Sequence, residues 1–459
     1  MSVYRTSIVL LGLWLGPGGI SQAGDEDWEE LFTEGEARMF FDNQYFARDY
    51  RNGPNNSGRN RYKPRSERNG YRQEWGQSVQ LYYRSGFTPG LLGLGFDAFA
   101  MQAFKLDSGG GRTGTGTLAL DGKGHPRDSH GKVGGALKLK VAEAQLRYGN
   151  FTTQAPVLAA NNSRIIPGMA YGWQLQRDWD GLSLEAARLS ALSGPTESKA
   201  RGGISTVYGR LSGARINIDS AQYLGLNYRG EQWRGAYYLG QLEDVWTQHY
   251  LNLGHTLELA DERSLSNTFN LYRTRDSGAS LFGPIDNLIA SHALAYRFDA
   301  HRLTLAYQRS FSDTPFDYIG FGDGQTGQSI VLANSAPYSD FNGPRERSWQ
   351  LRYDQRLAWL GLPDLNLGLR YQRGWGVDGS HAPANSIYRG LYGEDGRHHE
   401  TDLDLSYTFS SGSLKGLHLR ATQIWHRGNS AQADGSIDQL RIRVQYPLCL
   451  LYTSDAADE

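Results

Sequence analysis

The sequence predicts an all-β fold: a transmembrane antiparallel β-barrel whose apolar strand faces meet lipid and whose polar faces enclose water. Three observations predict it. Period-2 alternation dominates from about residue 36 onward. Arginines recur on the polar phase of the strands, where a packed core would leave them buried and unpaired. Short turns alternate with long glycine- and polar-rich loops, as in outer-membrane barrels.

Composition agrees with this reading. The 459 residues include 57 Gly, 27 Tyr, 11 Trp and one Cys, with 47 Lys+Arg against 48 Asp+Glu. So even a balance excludes a basic nucleic-acid binder and an acidic, solvating chain. Mean hydropathy is −0.55, and the mature chain lacks the runs of roughly 18 apolar residues that membrane helices require. Alternating strands hide their lipid-facing residues from such an average.

Both ends are set apart from the fold. Arg5, the apolar stretch Ile8 to Leu15 and the small-residue site Ser21-Gln22-Ala23 read as a secretory signal over residues 1–23, too short in its apolar part to span a bilayer. Residues 449–459, beginning at Cys449, follow the strand Gln439 to Leu448 with neither period nor turn logic. They read as the translation of a sequencing adapter, a non-native tail; a short disordered tail is the alternative. Residues 24–448 form the barrel domain. Removing Arg5 from the bases and Asp455, Asp458 and Glu459 from the acids leaves a net charge of +1 and no cysteine, which suits an oxidising compartment.

The strands justify themselves in turn. Val79, Leu81 and Tyr83 share one face, and Leu367, Leu369 and Tyr371 stand against Arg370 and Gln372. In Asp402 to Phe409 the carboxylates and hydroxyls all fall on one side, and Leu440 to Tyr446 repeats the design. Tyr228 to Glu231 and Phe298 to His301 are short turns, whereas the long loops fall at about 107–131, 150–172, 193–206 and 311–347. No Pro/Ser linker divides the chain, so it is one domain. A soluble sandwich also alternates. Against it, Tyr83, Tyr148, Tyr228, Tyr371, Tyr407 and Tyr446 sit toward strand ends, as interfacial girdles do, and Arg352, Arg370, Arg441 and Arg443 must face water.

Several segments resemble the OprD family of substrate-specific outer-membrane channels. Phe40 to Asp49 is similar to the family's first hairpin, and Ser85 to Ala98 with Lys105-Leu106-Asp107 to its next two strands. Ala155-Pro156-Val157 with Ser163 to Pro167 resembles the inward-folding third loop. Asp313 to Phe316 with Tyr338 to Pro344 resembles the seventh. Trp349 to Asp354, Thr401 to Asp404 and Val444 to Leu448 resemble later strands, so the likeness runs in order along the mature chain. It implies about eighteen strands, which 425 residues supply at roughly ten residues per strand plus loops. It implies a bacterial outer-membrane channel for passive uptake of small carboxylates, cyclic or aromatic carboxylates or amino acids, with the Tyr338 to Pro344 stretch leaning toward the cyclic and aromatic class. The partners implied are outer-membrane lipid, the solutes and the barrel assembly machinery, with no nucleic acid, and a monomer or loose homotrimer.

In that family a ladder of lumenal basic side chains guides carboxylates through an eyelet. The guanidinium fork matches carboxylate geometry, and many weak sites let a solute leave as well as bind. Parity puts Arg352, Arg370, Arg420, Arg441 and Arg443 on the lumenal phase; Lys138, Lys140 and Arg147 share a hydrophilic phase with Glu143 and Gln145. Arg164, with Ser163 and Asn162, comes from the third-loop motif. Asn162 stands where the family pattern has an acid, which removes a partner of Arg164. In the competing reading each arginine merely pairs with a lumenal carboxylate such as Asp354, Asp402 or Asp404 and shapes the wall.

Enzyme and cofactor motifs are absent. The stretch Asp107 to Gly116 lacks the Gly-Lys-Ser/Thr of a phosphate loop and reads as a flexible loop. His398-His399-Glu400 fixes no third metal ligand and reads as a solvated loop end. The formal sequons at Asn55 and Asn161 carry no weight in a bacterial outer membrane. The rival readings are a barrel enzyme at an outer rim and a plugged structural or adhesive barrel.

Overall fold

The structure, a computed structural model, describes residues 30–51, 70–109, 111–160, 162–213, 216, 218–321 and 330–451. The expected signal 1–23, the Asn55 sequon and residues 452–459 lie outside them.

Strands account for most of the described chain. The first seven are β1 (Glu36–Tyr50), β2 (Tyr71–Arg84), β3 (Leu92–Asp107), β4 (Ser129–Val141), β5 (Ala144–Phe151), β6 (Met169–Trp179) and β7 (Leu182–Ser193). Then follow β8 (Ile204–Thr206), β9 (Ala221–Arg229), β10 (Trp233–Leu242), β11 (Trp246–Glu258), β12 (Ser264–Asp276), β13 (Asp286–Phe298) and β14 (His301–Ser310). The last six are β15 (Ile319–Phe321), β16 (Arg347–Arg356), β17 (Leu365–Val377), β18 (Gly396–Thr408), β19 (His418–Gly428) and β20 (Ile437–Leu451). Eighteen of them form one antiparallel sheet, and β1 pairs with both β2 and β20, so the sheet closes without an edge. The two short strands β8 and β15 pair only with each other.

Short turns join the strands at one end, where Asp299 takes the left-handed conformation (φ 47°) in the two-residue connection of β13 to β14. The long loops among the described residues lie at the other end. The expected inversion of a soluble core holds along the wall: Leu137 is 69% exposed while the adjacent Lys138 is 6% exposed. Leu351, Leu369, Leu405 and Ile442 face outward, and Gln350, Gln372, Asp402 and Gln439 face inward and are buried. A slip of one residue would turn each cation into lipid, at roughly 2–4 kcal/mol near the midplane. The six tyrosines expected toward strand ends do not all lie there: Tyr371 is at the middle of β17. Tyr83, Tyr228 and Tyr407 lie one residue from strand ends at the short-turn rim, whereas Tyr148 packs on Trp173 and Tyr371 on Trp349.

Three expectations need correction. The bore is not uniformly hydrated: at the long-loop end the third, fourth, seventh and eighth loops fold inward and build an apolar core, including Val157, Tyr208, Phe316 and Tyr388. They pack on inward-facing tyrosines of β9 to β12, so parity alone does not assign the apolar face there. Tyr223, Tyr238, Tyr250 and Tyr272 run side by side, the last two with ring centroids 4.6 Å apart. Second, the glycine-rich stretch 107–116 leads into a loop that is folded in. Glu74, fully buried on β2, accepts hydrogen bonds from Gly114 N (2.8 Å) and Thr117 N (3.0 Å), and Thr115 donates to it as well. Third, β20 does not end at Leu448 but runs on to Leu451, with Cys449 opposite Arg38 and Leu451 opposite Ala37 across a bulge.

Candidate functional site: an arginine-lined eyelet

The third loop, 152–168, crosses the lumen. At one side it rests on the tyrosine wall, where Tyr272 Oη donates to Pro156 O at 3.2 Å and Val157 packs on Gly240. At the other it meets β1, β2 and β20. There Gln80 Nε2 donates to Ile165 O (2.8 Å), Gln44 Nε2 to Ser163 O (3.2 Å), and Arg443 Nη2 to Arg164 O (3.1 Å) and Asn162 O (3.3 Å). Gly76 permits this approach, because a Cβ there would stand 2.9 Å from Ile165 Cδ1 and from Leu118 Cδ2.

The seventh loop, 311–346, lines the facing wall. Gln372 Nε2 donates to Asn334 O (2.8 Å), Arg370 Nη1 to Ser335 O (3.4 Å) and Arg441 Nη2 to Pro337 O (3.5 Å). Between the two loops lies Phe46, an aromatic on the polar phase of β1. Three guanidiniums surround its ring: Arg441 at 4.3 Å from the centroid, Arg164 at 5.1 Å and Arg48 at 5.2 Å. The ring's negative face favours each cation and holds none of them as an ion pair would. Among the described residues none of the three has a carboxylate within ion-pair distance. Arg441 Nε is buried without a hydrogen-bond partner. Arg164, on the loop, donates to Thr115 O (3.2 Å) and Ser163 Oγ (2.8 Å). Burial, reinforced by Arg48, pulls its guanidinium below the ordinary value, and an anion arriving there would offset the repulsion from Arg48.

The other expected residues divide differently. Arg352, Arg370, Arg420 and Arg443 each pair with a carboxylate. Arg352 Nε lies 2.9 Å from both oxygens of Asp354, Arg420 Nε 2.9 Å from Asp404, Arg370 Nε 2.9 Å from Asp402, and Arg443 Nε 2.9 Å from Asp42. The Arg370 contact is close but not aligned as a hydrogen bond. Pairing with a wall carboxylate, as the alternative reading expected, holds for these four, whereas Arg164 and Arg441 have no described carboxylate at ion-pair distance. Arg352 and Arg420 line a cavity of about 430 Å³ at the short-turn end, with Arg302 and His418. Lys138 and Arg147 gather around Asp97 at 2.9 and 3.2 Å, and Lys140, exposed, lies over Phe87. They do not join the eyelet.

Sequence reasoning missed Arg48, Phe46 and Asp42. All three lie in the Phe40 to Asp49 segment, where Asp42, Gln44, Phe46 and Arg48 share one phase; the phenylalanine in that row disguised it as irregular.

An eyelet formed by an inward third loop, in a closed eighteen-strand barrel with an arginine-bearing wall, decides the family. The chain belongs to the OprD family of outer-membrane porins. The family described as outer membrane porin, OprD family, matches residues 29–450. Porin D of Pseudomonas aeruginosa is 42% identical over 416 residues, 89% of each chain. The crystal structure of Pseudomonas aeruginosa OprD superposes with a TM-score of 0.77 at 38% identity, covering 92% of this chain and 97% of that one. Pseudomonas aeruginosa OpdK, solved with vanillate, gives 0.78 at 29% identity, covering 91% and 100%. This OprD-family chain is thus an outer-membrane porin, and its relatives are channels rather than enzymes.

Proposed function

We propose that this porin passes small carboxylate-bearing solutes, cyclic or aromatic carboxylates or amino acids, by passive diffusion through the eyelet. The observation that carries this reading is the trio Arg48, Arg164 and Arg441 around Phe46, unopposed by any described carboxylate at ion-pair distance. Their forks match a carboxylate, while Tyr338, only partly buried, offers a face for an apolar ring. Vanillate, a carboxylate on an aromatic ring, occupied one structural neighbour. Below the eyelet, the paired arginines of the short-turn chamber give shallow sites from which the solute leaves.

Planar-bilayer recording tests the reading. The wild type is expected to conduct and to show a reversal potential on the anion side under a salt gradient, and added benzoate is expected to interrupt its current. Arg441→Gln and Arg164→Gln are expected to move the reversal potential toward cations. An unchanged potential in both variants sinks the arginine assignment, and a silent bilayer would favour a plugged barrel.

A further inference from the structure

His398 and His426 are buried side by side at the long-loop end, on β18 and β19. The segment His398-His399-Glu400, read from sequence as a solvated loop end, is instead part of β18, with His398 and Glu400 both buried. The hydrogen-bond partners of the two imidazoles determine where their protons sit. His398 Nε2 lies 2.5 Å from Glu346 Oε1, whose other oxygen accepts from Gly343 N at 2.8 Å. His426 Nδ1 lies 3.0 Å from Gly435 O. A carboxylate and a carbonyl only accept, so each of these nitrogens carries the N–H. With both rings neutral, the two remaining nitrogens, His398 Nδ1 and His426 Nε2, present lone pairs to each other across 2.8 Å. Such a pair calls for a cation, either a proton held as an N–H···N bond or a metal ion set beside the two nitrogens.

Asp434 supplies a third ligand. Its carboxylate and the two histidines offer ligand atoms all within 4.8 Å of one another, and Ser339 Oγ steadies the carboxylate at 2.6 Å. Gln432, 2% exposed, brings its amide nitrogen Nε2 to 3.2 Å from both ring nitrogens of His398, and its Oε1 has no hydrogen-bond partner. Each histidine thus donates its outer N–H to an oxygen and turns its free nitrogen inward, the second layer that metal-binding histidines require.

We propose that His398, His426 and Asp434 bind a divalent late transition metal, Cu2+ or Ni2+, with Glu346 orienting His398. The spacing selects the ion. Two nitrogens 2.8 Å apart subtend about 85° at an ion roughly 2.1 Å from each, close to the right angle of tetragonal coordination; tetrahedral zinc would need them about 3.4 Å apart. The bound ion joins the end of the seventh loop, through Glu346, to the ninth, through Asp434.

Copper titration of the full chain without an affinity tag, stripped with EDTA in detergent micelles, tests the proposal. One equivalent of Cu2+ is expected to bind, with an axial paramagnetic-resonance spectrum carrying hyperfine structure from two imidazole nitrogens. His398→Gln and His426→Gln are each expected to abolish that spectrum, and Glu346→Gln to weaken binding roughly 10- to 100-fold while keeping two nitrogens. Asp434→Asn, a loop substitution of nearly equal volume, is expected to weaken binding and alter the spectrum, and it decides the matter if the histidine variants do not assemble. Absence of a stoichiometric copper site overturns the proposal, as does a wild-type spectrum that persists in either histidine variant, or in Asp434→Asn.

Discussion

Arg443 on the last strand reaches Asp42 on the first, with Nε 2.9 Å from Oδ1, across the seam that closes the barrel. Asp42 is buried and also accepts from Gln445 Nε2 at 3.1 Å. Arg443→Gln is expected to strand this carboxylate and destabilise the barrel by about 3 to 5 kcal/mol. The midpoint of heat-induced mobility change on gels, compared with wild type, measures the loss. An Arg443→Gln, Asp42→Asn double variant is expected to recover part of it, as a coupled pair does.

Paired and unpaired arginines are expected to behave differently. Removing Arg352 or Arg420 frees Asp354 or Asp404 in the short-turn chamber, so the local charge swings by one unit and leaves an exposed carboxylate behind. Each Gln variant is expected to lower chloride-over-potassium preference modestly, with carboxylate uptake into liposomes reduced less than in Arg441→Gln. Equal losses in all three would show that pairing does not distinguish them.

The buried carboxyl of Asp317 ties three loops together. It accepts from Tyr388 Oη (2.9 Å), Tyr318 N (2.9 Å) and Tyr208 N (3.3 Å), yet burial outweighs these bonds and raises its pKa from 3.8 to about 6. A carboxyl raised in the folded state stabilises below its unfolded pKa, and that contribution is lost as pH rises from about 4 through about 6. The loop core is therefore expected to be tighter at pH 4 than at pH 7, by on the order of 3 kcal/mol. Hydrogen exchange of residues 204–211 and 386–392 at the two pH values reads it, and Asp317→Asn is expected to flatten the difference.

Glu74 anchors the inward part of the second loop through backbone donors. Glu74→Gln keeps the shape but puts an amide donor against Gly114 N or Thr117 N, at a cost of about 1 to 3 kcal/mol. Faster proteolysis within residues 108–128, with the barrel itself intact on gels, is the expected result.

Much of this architecture was legible in the alternation. Strands such as Asp402 to Phe409 carried their register openly, because lipid on one side and water on the other leave one solution for each residue. Arg352, Arg370 and Arg443 were assigned to the right face for the same reason. Their partners were not legible: Asp42 lies about four hundred positions from Arg443, and only closure of the sheet brings them together. The tyrosine wall was hidden because Tyr223, Tyr238, Tyr250 and Tyr272 face inward against loops, a contact that periodicity cannot encode. Arg48 escaped notice beside Phe46, whose ring breaks the polar phase yet organises the eyelet.

The crossbar formed by the third loop is fastened to residues contributed by both chain ends, Gln44 near the beginning and Arg443 near the finish. Until β1 and β20 meet, that crossbar cannot hold the bonds from Gln44 and from Arg443 together, and the sheet around it is an open slit. The position of the crossbar thus depends on closure of the same seam that shuts the wall, so a barrel truncated before β20 would lose Arg443's two bonds to the third loop together with its closed wall.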